Sequence, residues 1–158
     1  MPWIILGLIA GFLTVILVRA AMFQPKPQPE TSNEEVSFDR DAAISALQTL
    51  VRFKTVSNVD PALEDDAEFR KLIAALHDLY PRVFDFCSVR ELPDRALLFR
   101  WPGKESGDPA VLMAHYDVVP VDEDQWEKPP FAGIIEDGVL WGRGTLDTKA
   151  TFNGVLSA

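Results

Sequence analysis

Ala110-Val111-Leu112-Met113-Ala114-His115-Tyr116-Asp117-Val118-Val119-Pro120 is the stretch on which the fold turns. Its first five residues run on apolar without alternation, as expected of a central strand covered on both faces in an α/β sheet. His115 and Asp117 then stand just past the strand end, where open α/β sheets place their ligand sites. Downstream, Gly142-Arg143-Gly144-Thr145-Leu146-Asp147-Thr148-Lys149 reads as a glycine-bracketed turn that presents a second aspartate. A neutral imidazole is a good zinc ligand when a carboxylate on its other nitrogen holds the ring in one orientation, and a carboxylate can bridge two cations with its two oxygens. His115 and Asp147 are therefore candidate metal ligands. Asp117 is either the carboxylate that orients the ring or a neighbour lying beside it. Gly142 and Gly144 are expected to let the backbone approach a metal closely. Arg143 and Lys149 are placed to orient Asp147 or neutralise excess charge, or else to sit on the surface.

Working outward, Asp39 or Asp41 can cap a helix whose apolar face is Ile44, Leu47, Leu50 and Val51. A second helical stripe follows Pro61, with Leu63, Phe69, Leu72, Ile73, Leu76 and Leu79, and ends before Pro81. Short β-like runs come next, Val83 to Val89, Ala96 to Trp101 and Ala110 to Ala114. Two helices followed by strands with turn signals between them predict an α/β sandwich. Asp137-Gly138 predicts a hairpin turn. Trp126, Pro129, Pro130, Phe131 and Trp141 predict a packed lid or loop anchor, and Cys87, the single cysteine, a buried structural thiol.

At the other end, Trp3 to Val18 carries no charge and almost no polar group. If Arg19 snorkels, Ala20 to Phe23 extend the run towards the ~20 residues a membrane-spanning helix needs. Residues 1–23 are read as an uncleaved single-pass membrane anchor. The alternative is a signal segment with secretion or periplasmic release after cleavage, against which the first eighteen residues hold no Lys or Arg. Residues 24–36, proline-rich and polar, read as a stiff stalk, and residues 37–158 as the folded part.

The 158 residues hold 15 Lys and Arg against 24 Asp and Glu, and every acidic residue lies at or after Glu30. Phosphate binding needs a basic stripe, so this balance argues against a nucleic-acid partner. It is met most simply by a solvated acidic surface.

Each motif has an ordinary explanation when taken singly. A histidine at a strand end is more often structural or exposed than a ligand, and His77, in a helical stripe of mixed polarity, is read that way. In their order and spacing the motifs say more. Met113 to Pro120, Trp126 through Pro129-Pro130-Phe131, and Asp137 to Lys149 resemble the di-zinc aminoacylase and carboxypeptidase family, which includes acetylornithine deacetylase, succinyl-diaminopimelate desuccinylase and carboxypeptidase S-like enzymes. The resemblance runs from about Phe38 onward. It implies an α/β zinc-peptidase-like catalytic domain, with helices packed on a mixed sheet, preceded here by the transmembrane helix. It implies two Zn2+ ions, with His115 a ligand to one, Asp147 bridging both, and Asp117 orienting His115. The N-terminal segment, stalk and early helices are most similar to the carboxypeptidase S-like branch.

Members of that family continue with an adjacent pair of glutamates, one a general base and one a ligand, then a later carboxylate, a final histidine and an inserted dimerisation domain. None of these follows Asp147 here. The expectation is thus an N-terminal, truncated part of a zinc-dependent amide hydrolase acting on small peptides or N-acyl amino acids, a possible homodimer when full length. By itself it is expected neither to hold two zinc ions tightly nor to hydrolyse amides. The alternatives are a soluble-type deacetylase or desuccinylase, which the apolar N-terminus disfavours, and a tethered non-catalytic binding module.

Overall fold

The computed structural model describes residues 2–24, 37–104 and 107–158. The chain divides into two units, Met1–Val36 and Ser37–Ala158. In the first, helix α1 spans Pro2–Ala21, 20 residues with none buried. Proline at the first helical position costs nothing, since its missing N–H would have no partner there. At 1.5 Å per residue α1 is about 30 Å long, the thickness of a bilayer's hydrocarbon core. Its one internal hydroxyl, Thr14, is satisfied by the carbonyl of Ala10 at 2.8 Å. The stalk expectation falls on residues 24–36, nearly all of which lie outside the described residues.

The second unit opens on α2, Arg40–Arg52. Of the two candidate caps it is Asp39 that serves, its carboxylate accepting from the Ala42 amide at 2.9 Å. Asp41 in the first turn and Arg52 in the last suit the helix dipole. The buried face is Ala46, Leu50 and Val51, and Ile44 is exposed, against expectation. The second stripe is split. Pro61–Leu63 forms a single tight turn with Leu63 in solvent, and α3 starts only at Asp66, capped by Asp65, and runs to Leu79. Phe69, Leu72 and Leu76 of α3 are buried. Leu72 and Leu76 meet Ala46 and Leu50, Tyr80, and Phe152 from α5 (Ala150–Ser157) in one core. Two buried polar groups tie that core together: the Tyr80 hydroxyl donates to Asn153 Oδ1 at 2.7 Å, and Asn153 Nδ2 donates to the Ala43 carbonyl at 3.1 Å.

The run Val83 to Val89 is not a single strand. Pro81 presets a helical φ and starts α4, Pro81–Phe86, and strand β1 is Ser88–Glu91. The helix wins because Val83 and Phe84 both pack on the core, which adjacent residues of a strand, facing opposite ways, do not do. β1 pairs antiparallel with β2, Leu97–Arg100, and Phe99 meets Phe84 edge to face at 5.8 Å. Strands β3, Ile134–Glu136, and β4, Val139–Trp141, form the expected hairpin. Asp137 at φ 51° and Gly138 at φ 77° make the turn that matches strand twist.

The class is α/β, helices with small sheets, and the expected mixed sheet is not formed among the described residues. In its place are two antiparallel hairpins and one parallel bridge, Val56 to Val118. Ala110 to Ala114 is likewise no covered central strand. Val111, Leu112 and Met113 are 74, 74 and 84 % exposed. A central strand needs a partner on each edge, and among the described residues no strand pairs with residues 110–114. Cys87 is half-buried rather than buried.

Candidate metal centre

The site is built on the short parallel pairing of Thr55–Ser57 with Tyr116–Val118. The Val118 amide donates to Thr55 O at 2.8 Å, the Ser57 amide to Val118 O at 2.9 Å, and the buried Thr55 hydroxyl to Tyr116 O at 2.6 Å. Side chains alternate along such a backbone. Val118 is buried, and the Tyr116 ring packs against Phe69 and Phe152 at 6.2 and 5.6 Å. The Tyr116 hydroxyl donates to the Arg95 carbonyl, and burial pushes its pKa up. His115 and Asp117, one residue out of phase, therefore both face outward.

On that face His115 Nδ1 lies 3.1 Å from Asp117 Oδ1 and 3.2 Å from the Asp117 main-chain oxygen. Ser57 Oγ donates to the other carboxylate oxygen, Asp117 Oδ2, at 2.5 Å. Two acceptors on Nδ1 favour the tautomer with its proton there, which leaves Nε2 a lone pair. Nε2 lies 3.3 Å from Asp147 Oδ1. A lone pair facing a carboxylate oxygen is repulsive unless a cation or proton sits between them. The separation also suits a metal. Two donors each 2.0–2.1 Å from a tetrahedral zinc stand about 3.3 Å apart. The donor set fits one zinc edge, and Asp117, on the far nitrogen, is not part of it. Among the described residues no group of three or more His, Cys, Asp or Glu side chains is disposed to hold a metal.

Asp147 is delivered by the loop after β4. Gly144 turns the chain with φ 82°, the Lys149 amide closes the loop onto Gly144 O at 2.9 Å, and the Asp147–Thr148 peptide is cis. Packing alone requires both glycines to lack a side chain. A Cβ on Gly142 would fall 2.3 Å from Val51 Cγ1, and one on Gly144 2.4 Å from Val118 Cγ1.

Lys149 and Arg143 do not contact Asp147. Lys149 is wholly buried, its ammonium donating to Leu50 O at 2.8 Å and Phe53 O at 2.9 Å, and it caps the C-terminus of α2. Burial pulls its pKa down to about 8. The Arg143 guanidinium stacks 5.1 Å over Trp126, and Lys128 lies 5.3 Å over Trp141. With Pro130 fully buried, the aromatic and proline cluster is a loop anchor. His77 is exposed beside Phe84, at 5.0 Å, away from the site.

Sequence reasoning missed Ser57 and Thr148. The Thr148 hydroxyl accepts from the His115 amide at 3.2 Å and donates to the His115 carbonyl at 2.9 Å. Ser57 is remote in sequence and carries no spacing signal, and Thr148, though next to Asp147, is of a residue type that does not announce a bond to the His115 backbone.

Residues 111–158 match the model of peptidase family M20/M25/M40. Three relatives extend the likeness. A probable carboxypeptidase S-like 2 of Dictyostelium discoideum is 32 % identical over 98 % of this chain and 32 % of its own length. The human N-fatty-acyl-amino acid synthase/hydrolase is 38 % identical over 80 % of this chain and 25 % of its own. Carboxypeptidase S of Saccharomyces cerevisiae is 36 % identical over 70 % and 21 %. The family match and these relatives support the M20 peptidase family as the one this chain resembles. The chain spans about a third of the first of these relatives' length and less of the others. The stretch that matches the family model contains His115, Asp117, Asp147 and the exposed run 111–113, and the pairing with Thr55–Ser57 that supports it lies upstream of the match.

Proposed function

We propose that this chain supplies part of the metal centre of a zinc-dependent hydrolase that cleaves amide bonds of small peptides or N-acyl amino acids. The observation that carries the reading is the 3.3 Å approach of His115 Nε2 to Asp147 Oδ1 in a chain that resembles the M20 family. The names of the relatives, carboxypeptidases and an N-fatty-acyl-amino acid hydrolase, support the reaction class. In this reading His115 and Asp147 hold zinc, and Asp147 has a second oxygen for a second ion. Bound zinc supplies polarisation of the scissile carbonyl and acidification of a water molecule. The chain's own residues prepare that chemistry. Asp117 keeps the Nδ1 proton, Ser57 keeps Asp117 in place, and Nε2 is left free to bind. A closed zinc site uses four ligands and a catalytic one three. With two converging donors, these 158 residues alone bind zinc weakly and do not turn over amides. Helix α1 is assigned to the membrane, and its release by alkaline carbonate would contradict that.

Zinc uptake measured by competition with a chromophoric chelator tests the ligand assignment. His115→Ala is expected to weaken uptake about tenfold or more, and His77→Ala to leave it unchanged. Equal uptake by the wild type and His115→Ala overturns the reading.

A further inference from the structure

One hydroxyl joins the two candidate ligands through the backbone. Thr148 follows Asp147 directly, and its Oγ1 meets both main-chain polar groups of His115, accepting from the amide at 3.2 Å and donating to the carbonyl at 2.9 Å. A neighbouring strand ordinarily satisfies such groups. Here no ladder partner flanks residues 110–115 among the described residues, and Thr148 takes that place with a side chain. The loop is also tied at the next residue, where buried Lys149 is hydrogen-bonded to the end of α2. Beside Asp147, Thr148 is the residue of this loop that bonds the His115 backbone.

We propose that Thr148 is a positioning residue that sets the separation of His115 Nε2 and Asp147 Oδ1 through its hydroxyl. The proposal rests on the reading of those two residues as zinc ligands. The hydroxyl carries it and the methyl group does not: serine keeps the donor and acceptor, and valine keeps the shape and loses both.

The test is a zinc competition titration on the full chain in detergent micelles, with Thr148→Val, Thr148→Ser and His115→Ala, alongside the metal-free thermal midpoint. Thr148→Val is expected to weaken zinc binding about tenfold or more, in the range seen when a group that orients a metal ligand is removed. Thr148→Ser is expected to restore it. Wild-type affinity in Thr148→Val with weak binding in His115→Ala overturns the role of Thr148 and leaves the ligand reading standing. Wild-type affinity in His115→Ala removes both. Weak binding in Thr148→Ser as well as Thr148→Val overturns the hydroxyl's role. Should the valine variant not fold, amide exchange in the metal-free wild type decides: the His115 N–H is expected to be protected, and exchange at the rate of an open amide overturns the proposal.

Discussion

The ammonium of Lys149 lies 2.8 Å from the carbonyl oxygen of Leu50, with no part of the side chain in solvent. This contact joins the loop that presents Asp147 to the end of α2, and it sets a pH signature. Burial lowers the Lys149 pKa from 10.5 to about 8. Between those values the unfolded chain binds more protons than the folded one, so stability rises with pH across the window. The gain attributable to Lys149 is about 3 kcal/mol. Above pH 10 it is opposed by Tyr80 and Tyr116, whose buried phenols resist ionisation. In Lys149→Met the rise is expected to vanish, so the variant costs least near pH 7 and most near pH 10. Denaturant unfolding at pH 7, 8, 9 and 10 checks this, and parallel profiles for the two proteins would contradict it.

Gly144 touches Val118 in the same region. Substituting alanine forces a Cβ into a backbone at φ 82° and to 2.4 Å from Val118 Cγ1. The left-handed backbone costs about 1–2 kcal/mol and the overlap adds to it, for an expected loss of about 3 kcal/mol. Val118→Ala removes the overlapping methyl and not the φ strain. Gly144→Ala with Val118→Ala should therefore be more stable than the sum of the single losses implies. A double-mutant cycle by urea unfolding measures it, and strict additivity would mean the loop relaxes away from Val118.

Ser57 holds Asp117, and through it the His115 ring. Ser57→Ala removes a hydrogen bond to a charged acceptor, worth about 1.5–3 kcal/mol when well sheltered and less here because Asp117 is 42 % exposed. The fold is expected to survive with a loss near 1 kcal/mol. Zinc affinity is expected to fall about tenfold, since Asp117 is then free to leave Nδ1. Unchanged affinity in a folded Ser57→Ala protein would mean that the main-chain oxygen of Asp117 suffices to orient the ring.

The Glu64–Arg95 pair marks how the loops around this unit were legible only in part. Arg95 also pairs with Asp66 at 3.0 Å and lies 3.9 Å over the Phe69 ring. It lowers the Glu64 pKa and joins the start of α3 to the β1–β2 connection. No periodicity announces a guanidinium that closes on residues thirty positions away.

What the order of residues determined by itself is short in range: an aspartate cap at Asp39 or Asp41, the stop before Pro81, the Asp137-Gly138 turn, the apolar face of α3 and the unbroken apolar length of α1. Each rests on contacts within a few positions, where chain geometry leaves little choice. It also placed His115, Asp117 and Asp147 on one candidate site by spacing. Tertiary structure alone decided the rest. Val83 and Phe84 became helix because both had a core to meet. Lys149 turned inward to the carbonyls of α2, and Gly142 and Gly144 made room for valines. Ser57 reached Asp117 from sixty positions before it, and Thr148 reached His115 from about thirty after. The physical reason is common to all of these: a side chain's role depends on which buried polar groups lack partners nearby, and that is defined only once distant segments have met.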